Sequence, residues 1–368
     1  MHSDLLLVIV VGTALAFDFT NGFHDTANVV ATSISTRALP PRLAVGMAAL
    51  LNFVGAFISL QVAATVAKGI VEIDVVTPTI VFGGLIGATA WNITTWYFGL
   101  PSSSSHALIG GVVGATIAAH GTGAVIGDGL VGKVIVPALL APTLAFVVAG
   151  LAILVTYALV ARLRPGPTSR GFRFGQVASG GLLALSHGTN DAQKTMGVIT
   201  LALIAHGDIA ANNFHVPDWV VISAATAIAL GTYVGGWRII RTMGSRIIKM
   251  DPAQGFAAQT AGAAVILASS HYGFPLSTTH VIAGGVMGAG AAKRVSAVRW
   301  GVAGNIVLAW ILTLPAAGLM GAAIYGLSRV FGTGALGPVL ITATIIVGGG
   351  ALFARRLSRR PAITPTEA

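Results

Sequence analysis

Apolar residues run along the chain in long blocks, roughly at 5–36, 43–67, 76–98, 102–119, 134–161, 176–205, 217–236, 256–271, 275–291, 300–326 and 336–354, with short polar loops between them. A helix that crosses a bilayer needs about 20 apolar residues, so the pattern predicts an all-α, polytopic membrane protein of about 10–12 hydrophobic segments. Blocks 5–36 and 176–205 are too long for one plain helix and carry polar residues in their middles, which predicts broken helices. Blocks 102–119, 256–271 and 275–291 are short, which predicts paired re-entrant hairpins.

Composition supports this reading. Charged residues make up 9% of the chain, against about 25% in soluble domains, and mean hydropathy is +0.85. Nucleic-acid binding and an ordinary soluble enzyme are excluded. Without cysteine there is no disulfide framework and no thiolate metal site. The net charge of +10 reports topology rather than an anionic partner, because the cations sit between the apolar blocks. They group as Arg37 and Arg42; Arg162, Arg164, Arg170 and Arg173; Arg238, Arg241, Arg246 and Lys249; Lys293, Arg294 and Arg299; and Arg355, Arg356, Arg359 and Arg360. Placing these groups in the cytoplasm puts the N-terminus outside and the C-terminus inside a multi-pass protein of the cell membrane.

The same path makes the halves run in opposite directions. Loop 37–42 is basic, whereas its counterpart 206–217 has no Lys or Arg. Motifs repeat in the same order. Pro101-Ser-Ser-Ser-Ser-His106 through Ala115 matches Pro275-Leu-Ser-Thr-Thr-His280 through Ala289 without a gap, and Gly22-Phe-His-Asp25-Thr-Ala-Asn28 matches Gly188-Thr-Asn-Asp191-Ala-Gln-Lys194. Two inverted-topology repeats are therefore expected at 1–161 and 176–326, with a short basic cytoplasmic linker at 162–175, a final membrane helix at 327–354 and a basic cytoplasmic tail at 355–368. Such repeats with polar interruptions at mid-membrane mark a secondary transporter.

Each motif suggests chemistry. Ser103, Ser104, Ser105 and Ser277, Thr278, Thr279 stand at helix starts, where hydroxyls, free N–H groups and the helix dipole suit a tetrahedral oxyanion. Capping alone would explain single serines but not three hydroxyl residues in a row in both halves. Gly110, Gly111, Gly284 and Gly285 would let helices pack closely behind the site. Asp25 with Asn28, and Asp191 with Lys194, share a helix face at i, i+3. Acids inside apolar runs are costly and usually functional, although Asp191 and Lys194 also read as a structural ion pair. Asn21, Asn190, Thr26 and Gln193 line the same region, and His24 beside Asp25 could join a proton relay. His106 and His280 read either as packing residues or as groups orienting a hydroxyl. A divalent site from His24, Asp25, His187 and Asp191 is a further reading; the favoured one has no resident metal and no cofactor. There is no Gly-x-Ser-x-Gly elbow or His-Glu-x-x-His motif, and both halves duplicate every element, which argues against an enzyme.

Together these motifs resemble the inorganic phosphate transporter (PiT) family. The runs Asn21–Thr32 and Ser186–Gly197 look like its two signature segments, and the two Pro-x-Ser-[Ser/Thr]-[Ser/Thr]-His segments look like its re-entrant helix tips. The resemblance implies symport of inorganic phosphate with a coupling cation, around a central site between inverted repeats. It is nearest to a bacterial low-affinity branch that is proton-linked and able to carry metal–phosphate. The sodium-linked branch typically has Asn where His24 and Lys194 stand here, so H⁺ is favoured over Na⁺. A sulfate permease of the same fold and an anion channel are the alternatives. Phosphate, the coupling cation and the bilayer are the expected partners, nucleic acid is not, and a homodimer is left open.

Overall fold

The computed structural model describes residues 2–358, with side chains described over 4–351, so most of the basic tail lies outside the described residues. Among the described residues the chain is helical apart from loops and one isolated bridge between Val71 and Val125. The helices are α1 (His2–Ser35), α2 (Pro41–Gly55), α3 (Gln61–Lys68), α4 (Pro78–Phe98), α5 (Ser104–His120), α6 (Gly127–Leu130) and α7 (Val136–Val160), then α8 (Pro165–His206), α9 (Asp218–Val234), α10 (Trp237–Arg241), α11 (Pro252–His271), α12 (Thr278–Lys293), α13 (Trp300–Val330) and α14 (Leu336–Ser358). Three spans, Asp4–Ser35, Gly127–Val160 and Trp300–Val330, are long and apolar enough to cross a membrane. The bent pair Asp218–Val234 and Trp237–Arg246 makes a fourth.

Local chemistry sets many starts. Proline opens α2, α4, α8 and α11, where its missing N–H has no helical partner to lose. Asp251 and Gln254 form a reciprocal capping box on α11. Burial works against the Asp251 charge, but the Gln254 amide, the Tyr157 hydroxyl and Lys293 outweigh it and hold the carboxyl below its ordinary range.

The expected breaks fall elsewhere. α1 and α8 pass through their polar middles as continuous helices of 34 and 42 residues. Side chains of the two hairpin tips bond Asp25, Asn28, Asp191 and Lys194 there without any opening of the backbone. The interruptions lie instead between α2 and α3, and at Gly235–Gly236, where α9 and α10 meet at 59°.

The packing repeats with the motifs. α1 lies along α9 while α8 lies along α2; α5 lies on α13 while α12 lies on α7. The contacts need glycine. A Cβ on Gly22 would sit 2.3 Å from the Ile228 carbonyl oxygen, and one on Gly188 would sit 2.1 Å from that of Asn52. In the second pairing, Gly114 would meet the Gly318 oxygen at 2.0 Å and Gly288 the Phe146 oxygen at 2.0 Å. Both hairpin corners turn through a glycine of positive φ, Gly99 (66°) and Gly273 (72°), a region other residues rarely adopt.

Of the four glycines expected behind the site, a Cβ on Gly110, Gly111 or Gly284 would sit 2.5, 2.2 or 2.3 Å from a backbone oxygen, but one on Gly285 would meet nothing closer than 3.4 Å. Gly284→Ala should therefore cost about 1–3 kcal/mol by overpacking, whereas Gly285→Ala should be neutral or gain up to about 1 kcal/mol of helix propensity. Thermal unfolding in detergent should separate the two midpoints in that order.

Two apolar clusters form. One joins Leu6–Phe17 of α1, Met196–Ile204 of α8 and the α4–α5 hairpin; the other joins Ala27–Ala31 of α1, Leu183 and Ala184 of α8 and the α11–α12 hairpin. Between them lies a polar layer.

Candidate functional site

That layer is where the two hairpin tips meet. Ser103 and Ser277 are the N-caps of α5 and α12, their hydroxyl oxygens accepting from the His106 and His280 amides at 3.1 and 3.3 Å. Ser105 Oγ, at the start of α5, donates to the Leu276 carbonyl just before α12 at 3.1 Å.

Each central helix serves both tips. Asp25 Oδ1 is 2.6 Å from His24 Nδ1 and accepts from Ser104 Oγ at 3.2 Å and Thr279 Oγ1 at 3.5 Å. Asn28 Nδ2 donates to Thr279 Oγ1 at 2.9 Å and Thr278 Oγ1 at 3.3 Å. From α8, Asp191 Oδ2 accepts from Thr278 Oγ1 at 3.2 Å and lies 3.1 Å from His187 Nε2. Lys194 Nζ bonds Asp191 Oδ1, Ser105 Oγ and, at 2.7 Å, the Leu276 carbonyl. All these side chains are 3% exposed or less, so the site is closed to solvent.

The other expected residues surround this centre. The His106 and His280 rings meet edge to face at 4.8 Å, and His280 also stacks on Trp310. It is their amides, not their rings, that bond the capping serines. Asn190 Nδ2 donates to Ser270 Oγ and the Phe274 carbonyl, which anchors the second hairpin. Gln193 lies apart: its Oε1 accepts from the Val62 and Ala63 amides at the start of α3. Thr26 bonds the Gly22 and Thr232 carbonyls. Asn21 and Asn28 each keep an unpartnered buried carbonyl oxygen.

Three buried polar residues in or near the layer, Thr95, Ser102 and Asp18, were not among the expected ones, and His187 was expected only as a ligand of the divalent reading. Thr95 and Ser102 hold His24 Nε2 at 3.2 and 3.4 Å, and Ser102 lies one residue before the first hydroxyl cluster. His187 stands four residues before Asp191 on the same face. Asp18, seven residues before Asp25, is fully buried in the same helix. Asp25, His187 and Asp191 bring ligand atoms within 4.8 Å of one another, but Lys194 already holds one Asp191 oxygen. An ammonium at that oxygen disfavours a divalent ion there.

A family model described as "Phosphate transporter family" matches residues 21–167 and again 163–321. The chain belongs to the phosphate transporter family. As a member it is a transporter, not an enzyme, and a multi-pass membrane protein. It is 53% identical to a probable low-affinity inorganic phosphate transporter of Mycobacterium tuberculosis (strain ATCC 25618 / H37Rv), over 98% of this chain and 86% of that protein. A Bacillus subtilis (strain 168) protein of the same description is 44% identical over 87% of this chain and 96% of its own length. A solved structure described as the sodium-dependent phosphate transporter superposes with a TM-score of 0.77 at 25% identity, covering 89% of this chain and 99% of that one.

Proposed function

We propose that this family member imports inorganic phosphate by proton symport, holding the anion between the first turns of α5 and α12. The observation that carries this reading is the meeting of both hydroxyl clusters with Asp25, Asp191 and Lys194 in one buried layer. Ser104, Ser105, Thr278 and Thr279, with the N–H groups of two helix starts, are donors gathered in that layer. The hydroxyls of Ser103 and Ser277 can still donate while their oxygens cap.

Charge accounts for coupling. With both acids ionised and Lys194 protonated, the fixed charge of the layer is net negative, so an entering anion needs accompanying cations in a sealed, low-dielectric site. Lys194 already supplies one positive charge beside Asp191, where a bound Na⁺ would be repelled. That favours protons, with His24 and Asp25 at 2.6 Å as a relay pair. Phosphate can also donate a hydrogen bond to Asp25 or Asp191, which sulfate cannot do when ionised. A sodium reading draws on the unpartnered Asn21 and Asn28 oxygens and on the sodium-dependent structural relative. The two halves, 1–161 and 176–326, would run oppositely through the cell membrane, with the N-terminus outside.

Uptake of labelled phosphate into proteoliposomes tests the substrate. Excess unlabelled phosphate should suppress it and sulfate should not. Equal competition by sulfate would defeat the assignment.

A further inference from the structure

Asp18 lies outside the meeting point of the hairpin tips. It is completely buried in α1, and neither carboxylate oxygen has a hydrogen-bond partner among the described residues. Asn21 and Thr195 are the polar side chains beside it, and Asn21 Oδ1 and Thr195 Oγ1 are themselves buried without partners. The Asn21 amide and the Thr195 hydroxyl are neutral donors beside this carboxylate, and no cation bonds it among the described residues. An ionised carboxylate in such a place is strongly disfavoured unless a cation or a proton accompanies it.

The surrounding charges do not supply that partner. Asp191 and Lys194 of α8 act on Asp18 through space. Lys194, however, is already engaged by Asp191, Ser105 and the Leu276 carbonyl. α4 carries no Asp, Glu, His, Lys or Arg, and α9 carries only Asp218, at its first residue. α10 and the turn after it meet α1 from Phe23 to Ser35, beyond Asp18. His24 and Asp25 are bonded to each other about two helical turns further along.

Position gives Asp18 a use. Asp18, Asn21, Asp25 and Asn28 recur at spacings of three, four and three, so they form one polar stripe along α1. The stripe leads from the amino-terminal half of the helix to the hairpin tips. Repeat symmetry gives Asp18 no acidic counterpart, because the matching position in α8 is Ala184. A two-fold site for the anion has no need of it.

We propose that Asp18 is a proton-carrying carboxylate of the transport cycle, binding a proton from water on one side of the membrane and releasing it on the other. Asn21 and Thr195 would hold the acid when it is protonated. This inference rests on the proton-symport reading above.

The test compares wild type with Asp18→Asn and Asp18→Glu in proteoliposomes, measuring phosphate accumulation under an inward proton gradient and phosphate–phosphate exchange without one. Asp18→Asn should lose at least about tenfold in accumulation while exchange persists, and Asp18→Glu should recover part of the accumulation. Asp18→Asn accumulating phosphate like wild type, with unchanged proton stoichiometry, would overturn the proposal. Sodium-driven uptake that Asp18→Asn abolishes would assign the carboxylate to Na⁺ and also overturn it. A wild type that ignores the proton gradient would instead defeat the symport reading itself. Should Asp18→Asn fail to fold, a hydrophobic carbodiimide, which reacts with protonated buried acids, decides on the wild type. Mass spectrometry should find Asp18 modified, less so as pH rises; no modification at any pH would overturn the proposal.

Discussion

Lys194→Asn should reduce proton-driven phosphate uptake by about a hundredfold or more while leaving a folded protein of lower thermal midpoint. The ammonium joins three groups from three parts of the chain: Asp191 on its own helix, Ser105 of the first hairpin and the Leu276 carbonyl of the second. Removing one partner of a buried ion pair costs about 3–5 kcal/mol, because the other charge is left without compensation. Part of that cost is avoided if Asp191 takes up a proton instead, since His187 and Thr278 still contact it. Transport suffers more than folding, because both tips lose their shared cation and the anion loses its fixed counter-charge. The double variant Asp191→Asn/Lys194→Asn separates the two effects. It removes both charges, so the thermal midpoint should recover toward wild type while uptake stays low. Recovery of uptake together with stability would mean that the pair only holds the fold together.

Ser104→Ala/Thr279→Ala should raise the KM for phosphate by two orders of magnitude or more. These hydroxyls come from opposite hairpins and converge on Asp25 Oδ1, at 3.2 and 3.5 Å. With phosphate bound they would turn to an anionic acceptor, and a hydrogen bond to a charged group contributes about 1.5–3 kcal/mol. Each tenfold in affinity corresponds to about 1.4 kcal/mol, so two such losses give the stated change. The single variants should each shift KM by at least about tenfold, one from each half. Ser103→Ala should combine two effects, about 1 kcal/mol of stability from the lost cap on the His106 amide and a higher KM from the lost donor. A double variant with unaltered KM would place the anion elsewhere.

The parts of this protein that local chemistry dictates were readable from the chain. The hydroxyl clusters begin α5 and α12 because a capped helix start is a short-range signal, and in the structure Ser105 of one tip bonds the Leu276 carbonyl of the other. Asp25 and Asn28 could be placed on one face by spacing alone. What spacing could not show was which neighbours meet that face. α1 and α8 look breakable in isolation because the hydroxyls that satisfy their polar residues lie up to 254 positions away. Gln193 looks like a site residue from its place in the signature, yet the start of α3 takes its carbonyl oxygen. Gly284 and Gly285 are equivalent in sequence, and only packing shows that one faces the Pro142 backbone and the other has room. Asp18 falls within an apolar block, and its register with Asn21 and Asp25 was the available clue.

Proton coupling at a shared, sealed site is tested most directly in proteoliposomes made in sodium-free buffer, with labelled phosphate outside and an imposed inward proton gradient. Phosphate should accumulate above its external concentration, and a protonophore should abolish that accumulation. Accumulation that requires sodium and ignores the proton gradient would contradict proton symport.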